Sequence, residues 1–162
     1  MHLVTTFLTL VLALADFGDV EVGLLLLNAP LSDTFMQLLR VNVRGELSTN
    51  GRRAILRPGS DGVYKEMTRQ RYLNIDENGK VVFTQTRQPG FSLSYPTQQL
   101  LYKGEAGFVL CGDDLVGYQC ECENKIPVFI IYRELPAGML FEELKPPDKE
   151  WYVERLCPGK GG

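Results

Sequence analysis

Four cysteines, one histidine and a scatter of carboxylates are the residues from which this chain could build chemistry. The cysteines are Cys111, Cys120, Cys122 and Cys157. An even set in an exported chain points to disulfides, with three possible pairings. Cys120 and Cys122 are separated by a single residue, which strains a direct bridge between them. Four thiolates would also make a zinc donor set, but a pair of Cys-x-x-Cys knuckles is missing here. The one histidine is His2, and it lies in a segment that reads as removable. Without it the chain has no Ser-His-Asp or Cys-His catalysis and no His-based metal site. Glu134 with Glu142 or Glu143 would be the pair for general acid–base work, yet acids at this density are mostly solvated surface. The expectation is a protein that is not an enzyme, with no catalytic residue, no metal and no cofactor.

The elements that would carry these residues are read from composition and pattern. With 162 residues, 44% hydrophobic and 23% charged, the chain suits one domain with a real core. A net charge of -3 argues against nucleic acid as the partner. The charge is uneven, however: between Arg40 and Arg71 stand eight basic residues (Arg40, Arg44, Arg52, Arg53, Arg57, Lys65, Arg69, Arg71) against three acidic ones. A basic segment on an acidic body is suited to a polyanion. Residues 1–15 read as an export signal, an uncharged apolar run ending in Ala13-Leu14-Ala15 before Asp16. That run is too short to span a bilayer. The expectation is a secreted, extracellular protein with no membrane insertion after cleavage. No Asn-x-Ser/Thr sequon occurs, so N-glycosylation is not expected.

Residues 16–61 read as an N-terminal arm, partly ordered and basic toward its end. Within it, residues 31–39 have helical spacing, with Leu31, Phe35, Leu38 and Leu39 on one face and Ser32 as a cap. Loop chemistry at Asn50-Gly51 and at residues 57–62 sets a domain boundary before residue 62. From Val63 onward the pattern is all β. Asn78-Gly79 is the dipeptide preferred in a tight two-residue hairpin. Residues 128–132 are the most apolar run of the domain and read as a core strand. Three stretches share one design, an aromatic, an aliphatic and then a turn: Tyr72-Leu73, Phe108-Val109 and Tyr152-Val153 open them. Their spacing of roughly 40 residues is that of repeated supersecondary units. A strand and turn used three times predicts a threefold β architecture, with Leu73, Val109 and Val153 converging on one core.

In order along the chain, these pieces resemble the fibroblast growth factor family of β-trefoils over residues 62–162. Val63-Tyr64-Lys65 stands where the family has a Leu-Tyr strand. Residues 72–81 are similar to its Tyr-x-Leu-x-Ile-x-x-x-Gly-x-Val hairpin. Leu100-Leu101-Tyr102-Lys103-Gly104 resembles its Val-x-Ile-Lys-Gly strand, with Phe108-Val109-Leu110-Cys111 and Leu115-Val116-Gly117 following. Ile130, Tyr132, Glu134 and Phe141 are similar to its Cys-x-Phe-x-Glu-x(6)-Tyr signature, with Ile130 in place of the cysteine. Trp151-Tyr152-Val153 with Gly159-Lys160 resembles its Trp-Tyr-Val-Ala-Leu…Gly-Lys stretch. The turn before Leu115 is two residues shorter than the family's and lacks its glycine. The strands that follow Trp-Tyr-Val in the family have no counterpart before Gly162, so an unpaired strand edge is expected unless the arm covers it.

The resemblance implies a growth factor-like ligand of a cell-surface receptor tyrosine kinase, with heparan sulfate as a co-receptor. It places receptor contacts at Tyr64, Glu134 and Phe141. Candidate cations for the glycan are Lys103, Lys125 and Lys160, which are sparse, and the denser pair Arg52 and Arg53. Trp151 reads as core, and Gln85 stands near a position where the family often has arginine. Two other readings stay open: a secreted β-barrel carrier of a small ligand, and a relative that binds without signalling. A side-chain-filled core separates the first of these from a ligand-holding barrel.

Overall fold

The apolar run at residues 22–27 folds as a strand because every second side chain can be buried. In β1 (Gly23–Asn28) burial alternates, with Gly23, Leu25 and Leu27 inward and Leu24, Leu26 and Asn28 half-exposed. The computed structural model describes residues 21–29 and 36–136. Among the described residues the protein is all β, and no helix is long and apolar enough to cross a membrane. After β1 come β2 (Gln37–Leu38), β3 (Arg40–Val41), β4 (Leu47–Ser48), β5 (Arg52–Arg53) and β6 (Leu56–Pro58). A second group holds β7 (Tyr64–Glu66), β8 (Arg71–Ile75), β9 (Val81–Thr84) and β10 (Phe91–Leu93). A third holds β11 (Leu100–Tyr102), β12 (Phe108–Leu110), β13 (Val116–Tyr118), β14 (Ile126–Pro127) and β15 (Phe129–Glu134).

Each group contains one hairpin built to the same rule. The last strand pairs before the loops are Val41 with Leu47, Ile75 with Val81, and Leu110 with Val116. Each loop therefore has five residues. Its first residue donates its N–H to the fifth residue's carbonyl: Asn42 to Glu46 at 3.0 Å, Asp76 to Lys80 at 2.9 Å, Cys111 to Leu115 at 2.9 Å. The fourth residue has positive φ in all three, at Gly45 (81°), Gly79 (79°) and Asp114 (66°). Glycine takes that conformation without penalty, and Asp tolerates it better than most residues. The glycine missing before Leu115 is thus replaced by Asp114, and the loop keeps its shape.

The three hairpins meet in a cycle. The carbonyl of each fourth loop residue accepts an N–H from another hairpin or the segment just after it: Gly45 from Phe83 at 2.8 Å, Gly79 from Tyr118 at 2.7 Å, Asp114 from Thr49 at 3.1 Å. Bridges Glu46 to Val82, Lys80 to Gly117 and Ser48 to Leu115 follow the same cycle. The longer pairings β1–β15, β6–β7 and β10–β11 are all antiparallel. Gly23 to Leu56, the Phe91 N–H to the Gly62 carbonyl at 3.2 Å, and Gln99 to Ile131 connect these pairs around a ring. One core cluster lies inside, drawing Leu25, Leu47 and Leu56 from the first group, Leu73 and Val81 from the second, and Leu100, Phe108 and Ile130 from the third.

Six expectations change. The described strands within residues 23–58 are not an appended arm: β1 is paired with β15 on one side and with β6 and β2 on the other. The expected boundary near residue 62 separates two strands of one antiparallel hairpin, β6 and β7. The helical spacing at 31–39 does not produce a helix across its described part, because residues 37–38 pair with β1 and Leu39 is buried in the core. Asn78-Gly79 does not make a two-residue turn, since the Asp76 carboxylate closes a five-residue loop instead. Its Oδ1 accepts from Asn78 N at 2.9 Å and Lys80 N at 2.8 Å. Finally, the third hairpin among the described residues lies upstream, at 40–48, and Tyr152-Val153 falls outside them. Leu73 faces the core as expected, but in β12 it is Phe108 that is buried and Val109 that is half-exposed. A shift of one residue along a strand exchanges the faces.

The loops carry a test. Asp76 supplies two of its loop's hydrogen bonds, whereas Asp113 supplies one, to Leu115 N at 3.2 Å. Asp76→Ala is expected to cost about 1–2 kcal/mol in chemical denaturation. Asp113→Ala should cost clearly less, and equal losses would contradict the loop account.

Candidate binding surfaces

The receptor residues implied by the resemblance do not share one exposed face. Tyr64 is 3% exposed, packed edge-on to Phe91 with ring centroids 6.1 Å apart. Burial pushes its hydroxyl pKa up to about 12. An anchor must reach a partner, so Tyr64 is a core residue in this fold and not a contact. Glu134 ends β15 and is exposed. Phe141 lies outside the described residues. Glu134 and Tyr64 are linked through Tyr132, whose ionisation is disfavoured by burial first and then by Glu134, Tyr64 and Glu21. The Tyr132 hydroxyl is buried without a hydrogen-bond partner among the described residues.

The basic residues are gathered more closely than their order along the chain suggests. Arg40 stands directly across from Arg53, and Arg57 directly across from Lys65. Like charges directly opposite one another in a sheet are destabilising, and the exposed Arg57 faces Lys65 in this way. On the opposite face of β5 from Arg53, Arg52 shares an environment with Glu66, Arg69 and Arg71. Burial, followed by the like charges of Arg69 and Arg71, lowers its pKa against the opposing pull of Glu66. Glu66 is 0% exposed and is held by Thr68 N at 3.1 Å and Arg69 N at 2.9 Å. Its cross-strand partner is Arg71. Arg52 Nη2 and Arg71 Nε and Nη2 are buried donors with no acceptor among the described residues. Buried donors without partners are uncommon and mark a place where an anion or water completes the site.

Two of the other candidate cations fall among the described residues. Lys103 is exposed and lies 5.3 Å over the Tyr102 ring. Lys125 is exposed and paired with Glu121 at 2.9 Å. Lys160 is outside the described residues. Sequence reasoning picked out Arg52 and Arg53 but not the facing partners Arg40, Arg57 and Lys65, nor Arg69 and Arg71 as neighbours of Arg52. The signal was the excess of basic residues from 40 to 71, which gains meaning only once strand register is known.

The cysteines resolve into one disulfide, Cys111–Cys122, and one buried thiol, Cys120. Bridging of Cys120 to Cys122 is avoided, as their spacing requires. Cys157 lies outside the described residues. No family model, curated protein or solved structure matches this chain.

Proposed function

We propose that the chain is a secreted β-trefoil ligand, similar to fibroblast growth factors, that acts through its surface and not by catalysis. Three equivalent hairpins joined in a cycle above a ring of paired strands support the trefoil reading. A sulfated glycan of the heparan-sulfate class is its co-ligand, and a receptor tyrosine kinase ectodomain is its partner. The observation that supports the glycan half is the cross-strand pairing of basic residues, Arg40 with Arg53 and Arg57 with Lys65. The receptor half rests on the resemblance, and of its residues Glu134 is the one exposed among the described residues. A carrier barrel is disfavoured because Leu25, Leu56, Leu100 and Ile130, each 0% exposed, lie in the core cluster. A relative that binds without signalling keeps both faces and is distinguished by cell response.

Arg57→Glu tests the glycan face with two readouts of opposite sign. It replaces a repulsion by an attraction toward Lys65, so stability should rise by a few tenths of a kcal/mol, about 0.2–1 kcal/mol at most. Affinity for heparin should fall, and the dependence of log K on log salt should flatten by about one contact per cation lost. Lost stability with unchanged heparin binding would sink the glycan reading. For the receptor, purified chain is titrated against a panel of ectodomains with and without heparin. Glu134→Ala and Phe141→Ala should each weaken a true complex by about thirtyfold, the size of a 2 kcal/mol hot spot. Binding indifferent to both would remove the implied receptor face.

A further inference from the structure

The hairpin cycle gathers three sulfurs. The Sγ atoms of Cys111, Cys120 and Cys122 all lie within 4.8 Å of one another. Cys111 is the first residue of the third hairpin's loop, while Cys120 and Cys122 follow β13, so the turn after β13 brings them back under that loop. Two glycines make the approach possible. A Cβ on Gly117 would stand 2.1 Å from the Cys120 sulfur, and one on Gly79 would stand 2.7 Å from the Cys120 Cβ. Lys80 places its ammonium 3.6 Å from Cys111 Sγ and 3.7 Å from an Asp113 carboxylate oxygen.

We propose that these three cysteines are a redox-gated site for a soft cation of the zinc class. In the oxidised chain two of the sulfurs are joined as Cys111–Cys122 and the third is the Cys120 thiol. A two-electron reductant opens the bond. A dithiol does so by becoming a disulfide, and a phosphine by taking oxygen from water; either leaves two protein thiols. Three thiols then release three protons and bind one Zn²⁺. Thiolates at about 2.3 Å from zinc sit about 3.8 Å from each other in a tetrahedral arrangement, within the spread that the fold already imposes. Three thiolates on Zn²⁺ carry one net negative charge, and the Lys80 ammonium beside Cys111 is placed to balance it. A fourth donor, water or an external ligand, would complete the tetrahedron. The disulfide and the metal exclude each other, so the oxidation state decides which one staples the third hairpin to the segment after it.

The full chain, reduced with a phosphine, is titrated with Zn²⁺ alone in competition with a chromogenic chelator. One zinc per chain is expected, with Cys111, Cys120 and Cys122 protected from alkylation as read by peptide mass. Co²⁺ in its place should give a near-ultraviolet thiolate-to-metal charge-transfer band. Zinc should raise the melting temperature of the reduced chain and leave that of the oxidised chain unchanged. Cys120→Ser keeps the disulfide partners, so its folding can be checked in the oxidised state. It should weaken zinc by at least about tenfold, the scale on which even residues that only support a ligand act. Cys122→Ser should do the same, and Cys157→Ser should leave binding intact. A reduced chain that takes up no zinc at micromolar concentration overturns the proposal. So does zinc affinity indifferent to Cys120→Ser, or zinc lost with Cys157→Ser and kept with Cys120→Ser.

Discussion

A chain beginning at residue 62 should not fold. Removing the preceding residues takes away β1, which pairs along its whole length with β15, and β6, which pairs with β7. It also strips Leu25, Leu27, Leu39, Val41, Leu47, Ala54 and Leu56 from the core cluster. Buried aliphatic side chains contribute about 1.5–3 kcal/mol each, so the loss far exceeds the marginal stability of a domain this size, about 5–15 kcal/mol. The shortened chain should show no cooperative thermal transition and no dispersed amide resonances, and should aggregate through its exposed edges. A chain beginning at residue 21 should keep both. A folded 62–162 fragment would return residues 16–61 to the role of a dispensable arm.

Single substitutions should show the same dependence within the intact chain. Leu47 and Leu73 are both 0% exposed, one in the first hairpin and one in the second. Leu47→Ala and Leu73→Ala should each cost about 2–5 kcal/mol, the range for buried leucines whose surroundings cannot collapse onto the gap. Both should shift the midpoint of one unfolding transition without splitting it. If Leu47→Ala were nearly neutral while Leu73→Ala was costly, the first hairpin would not belong to the core.

Much of this fold was legible in the sequence where period and turn chemistry agreed. Residues 72–84 read as a hairpin because Leu73 and Ile75 share one face and Asn78-Gly79 marks a turn; β8 and β9 fall there. Residues 128–132 read as a core strand, and β15 is that strand, with Ile130 0% exposed. The first group was misread for physical reasons. Leu24 to Leu27 is an unbroken apolar run that hides its alternation, because Leu24 and Leu26 also lie against neighbouring strands. Residues 31–39 offered a helical stripe, but in its described part pairing of Gln37 and Leu38 with β1 overrode local preference. In the aromatic–aliphatic repeat, Tyr72 points out beside Arg87 while Phe108 points in. Sequence similarity between the two openings therefore hid a change of face.

The proposed glycan face was legible as composition and not as geometry. Eight basic residues between 40 and 71 were visible, but nothing in their order shows that Arg57 meets Lys65 or that Arg40 meets Arg53. The three-sulfur cluster is a similar case. The spacing of Cys120 and Cys122 was read as a restriction on disulfides, whereas the return of the chain toward the loop at Cys111 comes from the register of β12 and β13. Tyr64 shows the reverse: an aromatic at a suggestive position in a motif is drawn inward by Phe91 and its neighbours.

The proposed glycan face and the sulfur cluster exist as described only if the three hairpins close on one another. Nuclear Overhauser effects in a uniformly labelled chain test that closure most directly. Backbone contacts are expected between Glu46 and Val82, between Lys80 and Gly117, and between Ser48 and Leu115, together with contacts from Gly23 to Leu56 across the ring. Their presence as one set, with protected amides at Phe83, Tyr118 and Thr49, is the result the threefold arrangement predicts. A spectrum in which the hairpins at 71–84 and 108–118 contact each other, while the segment 40–48 shows only its own cross-strand pairs, would contradict it.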